Sequence, residues 1–317
     1  PINKKYPISG LIAACKDYVS EVSADWEWYV EHIGRWVDFK NSYKTMDRDY
    51  MESVMWVFHK LYDKRLIYKG KRVSLFCPRC STPISNFEIA MDNSYKDVES
   101  HSAYVKFKVK GTASEYFVAW TTTPWTLPGN VGLAVNPKAD YVLVESNGEQ
   151  LWFAKDLVPI DLKVLKTVKG TELVGLTYEP LFNFLPVGNQ KSYVVVAADF
   201  VTLDAGTGIV HTAAIYGEDD YVLSVKEGLP TIPMLDDQGK FLDFVTPLAG
   251  QFYAKTQEWI INGLMKRGLM FKSTTTSHSY PFCYRCGTAL YYNAIPAWFI
   301  NIQKIKPELI KQNESIA

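Results

Sequence analysis

Two short turns, CPRCST at Cys77–Thr82 and CYRCGT at Cys283–Thr288, repeat the same pattern, C-x-R-C-[SG]-T. Each offers two thiols three positions apart, followed by a small residue where the chain must turn tightly. Roughly two hundred residues separate the two turns. Together Cys77, Cys80, Cys283 and Cys286 form a four-thiolate set suited to tetrahedral zinc, with no ligand position left open, so the metal is expected to be structural. The competing explanation is chance pairing of buried cysteines, and the matched flanks argue against it. A disulfide pair fits poorly with a chain that opens with no secretory signal. One metal site built from both turns dictates an organisation. The chain enters, makes half a ribbon, leaves to build an inserted domain and returns to finish the ribbon. The fifth cysteine, Cys15, lies in a helical pattern and is expected to be a packed residue.

The segments around this framework divide by periodicity. Helices are expected over about 11–30 and from Asp49, where Met51, Val54, Met55, Phe58, Leu61 and Tyr62 recur at helical spacing and Asp49 with Glu52 resembles a capping box. The insertion reads as β-rich. Val105, Phe107 and Val109 alternate with Lys106, Lys108 and Lys110 as in a half-buried strand. Further strands are expected at 115–123, 141–145, 150–154, 192–200 and 208–213, with helices near 219–226 and 256–266. The fold class is thus α/β: a β-barrel-like domain inserted into a four-cysteine zinc-ribbon module, with an N-terminal helical segment. The expected boundaries are 1–75 for the helical entry, 76–92 with 277–300 for the ribbon, and 93–276 for the insertion.

With 34 basic and 34 acidic residues the formal net charge is zero, which excludes wholesale wrapping of nucleic acid but allows a local basic face. No apolar run is long enough for a membrane helix. The chain starts at Pro1 and reads as an excised fragment, of cytoplasmic origin. HIGR at His32–Arg35 has the look of a nucleotide-binding signature. It follows a helix rather than a strand, so an ordinary helix end at Gly34 is expected instead.

Two stretches carry the chemistry. WTTTPWTLPGN (Trp120–Asn130) runs three threonines into a proline. β-Branched residues favour a strand and proline ends it, so hydroxyls should crowd the strand's last turn. GTGIVHTAAIYGEDDY (Gly206–Tyr221) delivers His211 on a buried-strand pattern and places Asp219 and Asp220 at a helix start, where one of them, Asp219, is expected to cap. A lone histidine on a strand is more often packing than chemistry, unless its strand faces the threonines. No Ser-His-Asp or Cys-His set points to an acyl-enzyme.

These stretches, with GRWVDF, YMESVMWVF, CPRC, SNFE and HSYPFCYRC in the same order, resemble the connective-peptide region of the isoleucyl-tRNA synthetases over essentially the whole chain. Thr123, where the valyl and leucyl enzymes carry arginine, points to the isoleucyl branch. Ala214-Ile215 departs from the family's usual proline.

The resemblance implies an editing domain that hydrolyses isoleucine tRNA charged with valine, beside a parent catalytic domain in cis. One methylene in an apolar pocket is worth only about 1–3 kcal/mol, a figure drawn from this same enzyme family rather than from the present chain, so a second sieve is needed. By resemblance, Thr121, Thr122, Thr123, His211 and Asp220 are the catalytic set, and Trp120, Thr126 and Asn130 bind substrate. Asp220 is expected to hold the substrate ammonium, Asn130 to lie near the terminal ribose, and His211 to exclude the larger side chain. A non-catalytic module that only docks the tRNA acceptor end is the alternative. Retention of Thr122, His211 and Asp220 together argues against it. No convincing nucleotide site accompanies these motifs, so ATP-dependent charging by this fragment is not expected.

Overall fold

The computed structural model describes residues 7–91, 94–159 and 162–316. It divides into two units. One runs to Tyr68 and resumes at Trp298, and the other is Lys69–Ala297. The expected junction at 92 lies outside the described residues.

The first unit carries α1 (Ile8–His32), α2 (Arg48–Asp63) and, at its far end, α7 (Ile302–Asn313), none with a buried residue. Cys15 is exposed, not packed. The capping box expected at Asp49 is absent, because Asp49 is already helical. Asp47 holds the cap position, and its carboxylate instead accepts from the Lys44 N–H at 2.9 Å. Past α1, Gly34 turns left-handed with φ 73°, the helix end expected for HIGR.

In chain order the second unit holds β1 (Ile67–Cys77), which begins just before it, β2 (Thr82–Ile84), α3 (Asn86–Met91), β3 (Tyr95–Lys108), β4 (Glu115–Thr121) and β5 (Gly132–Val135). There follow β6 (Asp140–Ser146), β7 (Glu149–Ala154), β8 (Lys163–Lys169), α4 (Gly170–Leu173), β9 (Val194–Ala197) and β10 (Ile209–Thr212). Last come α5 (Glu218–Glu227), α6 (Gln257–Lys266), β11 (Met270–Pro281) and β12 (Tyr291–Ile300). A three-stranded sheet in the order β12-β1-β2 carries the cysteine turns. A nine-stranded sheet follows the path β8-β6-β7-β4-β10-β5-β9, with β3 joined to β4 and β11 joined to β3.

The large sheet forks at β4. One edge of β4 lies along β3, while the other is divided: Glu115–Phe117 pair in parallel with β7, and Trp120 pairs in parallel with Val210 of β10. The fork curls the sheet into a half-barrel, and among the described residues its end strands β8 and β9 do not close on each other. Buried Phe107, Phe117, Leu133, Val135, Tyr141 and Ile209 belong to the main core, and Val118, Val142, Val144, Leu151 and Phe153 fill a second cluster. Lys106, expected on a solvated face, is buried with its ammonium held by both oxygens of Glu149. The linkers between ribbon and half-barrel are not loops. Residues 95–105 and 270–281 pair antiparallel as a continuous two-stranded ribbon.

Candidate functional site

The expected strand 115–123 stops two residues early, and the threonines themselves stop it. Thr121 Oγ1 accepts from the Thr123 N–H at 3.1 Å, so a side chain replaces the next sheet partner. A 3-10 helix, Pro124–Gly129, then begins, with Thr123 O accepting from both the N–H and the hydroxyl of Thr126, at 2.9 and 2.8 Å. The Val210–Trp120 register brings β10 alongside this turn. The result is a cavity of about 260 Å³ lined by Trp120, Thr121, Thr122, Thr123, Thr126, Val210, His211, Ala213, Tyr216 and Asp220. The histidine strand thus faces the threonines, the condition under which His211 is more than packing. Eight of the proposed site residues other than the cysteines were expected here, and all but Asn130 line the cavity.

Asn130 lies one layer back, 4% exposed and behind the cavity wall. Its Nδ2 donates to Gly132 O at 2.9 Å and to His211 Nδ1 at 2.8 Å. The orientation of the amide follows from chemistry, since a backbone carbonyl only accepts and the atom facing it must be the nitrogen. His211 Nδ1 is therefore an acceptor, and the ring proton sits on Nε2, 3.0 Å from Thr126 Oγ1. Burial holds the His211 pKa down to about 3. With Nδ1 occupied by a donor and Nε2 carrying the proton, the ring has no free lone pair to act as a general base. It is a fixed, neutral wall.

Asp220 is the third residue of α5, half-buried, and no hydrogen-bond or ion-pair partner accompanies its carboxylate among the described residues. Burial, and secondarily the neighbouring Asp219 charge, raises its pKa to about 7. The carboxylate folds back over Gly217, where any Cβ would collide with it. Asp219 does not cap the helix. Gly217 is the cap residue and no side-chain capping bond forms, so Asp219, exposed in the first turn, acts through its charge on the helix dipole and on the neighbouring Asp220. Thr122 likewise keeps its hydroxyl free of protein partners among the described residues. The cavity therefore presents one uncommitted carboxylate and one uncommitted hydroxyl.

The four cysteines also come together. Their sulfurs lie within 4.8 Å of one another, with Cys77 and Cys286 at 3.5 Å, and all are free thiols. Four thiolates around zinc at about 2.3 Å would stand about 3.8 Å apart, so the donor set and spacing fit that ion. The two turns repeat in geometry as well as in sequence: Ser81 and Gly287, each directly after the second cysteine, have φ 51° and 67°. That left-handed backbone explains the small residue.

An aromatic bridge joins cluster and cavity. Phe76, next to Cys77, packs on Tyr291 at 5.8 Å, Tyr291 on Tyr253 at 5.1 Å, and Tyr253 on Trp125 of the threonine turn at 4.6 Å. Sequence reasoning assigned no role to Tyr253, to Tyr291 or to Tyr178, the buried residue whose hydroxyl donates to Asn130. None of these three sits in a motif whose spacing points to the cavity.

The family model of the tRNA synthetases class I (I, L, M and V) matches residues 2–317. The chain is 46% identical over 320 residues to an isoleucine–tRNA ligase of Clostridium novyi (strain NT), covering 100% of this chain and 30% of that protein. It is 43% identical over 317 residues to an isoleucine–tRNA ligase of Clostridium tetani (strain Massachusetts / E88), covering 99% and 30%. The chain thus spans about 30% of the length of the curated relatives it matches. Among solved structures, GlLeuRS-CP1 matches with a TM-score of 0.43 at 14% identity, over 55% of this chain and 99% of that one. The P. knowlesi cytosolic leucyl-tRNA synthetase editing domain matches at 0.42 and 13%, over 56% and 97%. Those two structural likenesses are too weak to carry a functional argument.

Proposed function

Since the chain belongs to the class I tRNA synthetases (I, L, M and V), we propose that its threonine-lined cavity hydrolyses the ester of a wrongly charged tRNA, namely valine on isoleucine tRNA. The observation that supports it most is the convergence in one 260 Å³ cavity of threonine hydroxyls, a neutral histidine wall and an unpartnered carboxylate. Asp220, when ionised, binds the ammonium of the aminoacyl group as a charge-assisted contact. The free Thr122 hydroxyl, with those of Thr121 and Thr123, orients the ester and a water molecule. Among the described residues no serine, cysteine or lysine lines the cavity, and His211 has no free lone pair with which to activate a threonine hydroxyl, so on this reading water attacks the carbonyl directly. His211 bounds the space left for the side chain, admitting valine and excluding one methylene more. Trp120 flanks the entering substrate.

The parent protein is an isoleucine–tRNA ligase whose catalytic domain lies in cis. The β-barrel-like body between residues 93 and 276 is the editing domain, and 76–92 with 277–300 form the ribbon. Cys77, Cys80, Cys283 and Cys286 hold one zinc ion, which has a purely structural role because four thiolates fill its coordination.

The test is deacylation. The chain is incubated with valyl- and isoleucyl-tRNA of isoleucine specificity, and ester loss is followed. Valyl ester should be lost at least about ten times faster, the scale that one methylene allows. Equal rates would remove the sieve, and inertness toward both would leave a docking module.

A further inference from the structure

Behind the cavity wall runs a chain of buried hydrogen bonds that ends on a residue with no contact to the cavity. Tyr178 is 2% exposed, and its hydroxyl donates to Asn130 Oδ1 at 2.6 Å. The same amide donates to Gly132 O and His211 Nδ1, and the His211 Nε2–H faces Thr126, whose hydroxyl donates to Thr123 O. One direction of donation therefore runs from Tyr178 to the threonine turn. We propose that Tyr178 is a positioning residue for the sieve: through Asn130 its hydroxyl fixes both the tautomer and the plane of the His211 ring that walls the cavity.

Three features carry this. The Tyr178 backbone is held independently of the hydroxyl, by an antiparallel bridge to Val109 and by its N–H to Tyr193 O at 3.0 Å, so the phenol is delivered to a set place. Its ring packs edge-on against Phe107 at 5.4 Å, which a phenylalanine would preserve. Burial keeps the phenol protonated, well above its ordinary pKa, so it remains a donor. Without that donor, Asn130 Oδ1 has no partner in a dry site, and the bond to Gly132 O is left as the one fixed contact that opposes rotation of the amide. A rotated amide would present oxygen to His211 Nδ1 and call the proton there, leaving Nε2 to accept from Thr126.

For its consequence on selectivity the inference rests on the ester-hydrolysis proposal, and the experiment separates the two. Ring-15N histidine is incorporated, and long-range proton–nitrogen spectra are recorded over about pH 5 to 8, the range in which an ordinary histidine titrates. His211→Gln identifies the His211 signals among the five histidines. The titratable groups that face His211 from neighbouring elements are Asp220 and Tyr216 in the cavity and Tyr178 behind Asn130, so Asp220→Asn is recorded alongside to remove the one that ionises in this range. Wild type should show a single Nε2–H form throughout. Tyr178→Phe should show mixed tautomers or titration toward the ordinary value. The same variant should raise the isoleucyl-to-valyl hydrolysis ratio about tenfold, the scale of one methylene.

Tyr193→Phe is the control, because the Tyr193 hydroxyl has no hydrogen-bond partner among the described residues although its ring lies 6.2 Å from that of Tyr178. It should change neither signal nor ratio. Unchanged His211 signals in a folded Tyr178→Phe, or equal changes in both tyrosine variants, would overturn the proposal. A tautomer change in a protein whose wild type hydrolyses neither ester would uphold the positioning role and overturn the hydrolase.

Discussion

The cysteine cluster and the threonine cavity are both assembled from segments far apart in sequence, yet they are held in opposite ways. In the cluster every ligand sits in a repeated local turn, and the small residue after each pair takes the same left-handed backbone. Its geometry is local twice over, and the pairing of β12 with β1 brings the halves together. The cavity has no such closure. Its wall depends on Tyr178, Asn130, His211, Thr126 and Thr123 satisfying one another in series, so each group is placed by a neighbour from a different element. A site of the first kind tolerates change around it and fails at its ligands. A site of the second kind should lose selectivity before it loses its fold.

The sharpest way to break the comparison is to remove the cavity's uncommitted carboxylate. Asp220→Ala should lower hydrolysis of valyl ester about 100-fold, the scale of a lost hydrogen bond to a charged group in a dry site, with an unchanged circular dichroism spectrum. Asp219→Ala, at an exposed position without a cap, should lower it less than about twofold. Matching small effects would show that the ammonium is bound elsewhere.

Next in size is the metal. One zinc per chain is expected by elemental analysis. Cys77→Ser or Cys283→Ser should abolish its retention and make the remaining thiols reactive. Because Phe76, Tyr291 and Tyr253 carry the ribbon's position to Trp125, deacylation should fall modestly, by less than about tenfold, as expected when positioning is loosened but the chemistry is intact. Purified protein with no bound zinc and all four thiols free to react would remove the assignment. A loss as large as that of Asp220→Ala would mean the two regions are not separable.

His211→Ala sharpens the contrast in kind rather than in size. Valyl ester hydrolysis should survive within about tenfold while isoleucyl ester becomes a substrate, because a wall has been removed and no base lost. Thr122→Ala should lower both rates together. Death of His211→Ala on both esters would place the ring in the chemistry or the fold.

What the sequence made legible follows the same division. The cysteine repeat and the threonine turn were readable because each rests on local pattern or on residue types with strong backbone preferences, whereas the approach of His211 to that turn was implied only by the family resemblance. Strand β4 ended where Pro124 said it must, within two residues, and the discrepancy was the Thr121 side chain replacing a sheet bond. The unread parts depend on partners remote in sequence. β11 is so rich in threonine and serine that it shows no apolar alternation, and it is a strand because β3 runs beside it for eleven residues of its length. β12 holds Pro296 and reads as broken. Lys106 looked solvated until Glu149 arrived from β7. Tyr178 could not be singled out at all, since its role exists only once Asn130 stands in front of it.

The smallest effect expected is on stability, and it isolates what the open carboxylate does to the fold. The Asp220 pKa is raised to about 7, above its unfolded value, so the folded protein binds more protons than the unfolded chain as pH rises from the ordinary carboxylate range to about 7. Any stability linked to it is present below that range and lost as pH rises through about 7. His211 works in the other direction. Its pKa is lowered to about 3, so its contribution is full above its ordinary value and lost as pH falls toward 3. Between the two, the slopes oppose each other, and the joint contribution of these two groups to the curve should be nearly flat. Asp220→Asn removes one of them. Its melting temperature should exceed that of wild type by a few degrees at pH 8, where the wild type must keep a desolvated charge, and match it at pH 4, where both side chains are largely neutral. The variant would then be more stable and nearly inactive, because the unpaired carboxylate that weakens the fold at neutral pH is the same group proposed to receive the substrate ammonium. Equal shifts at both pH values would show that Asp220 is solvated and its pKa ordinary, and the flat curve would need another cause.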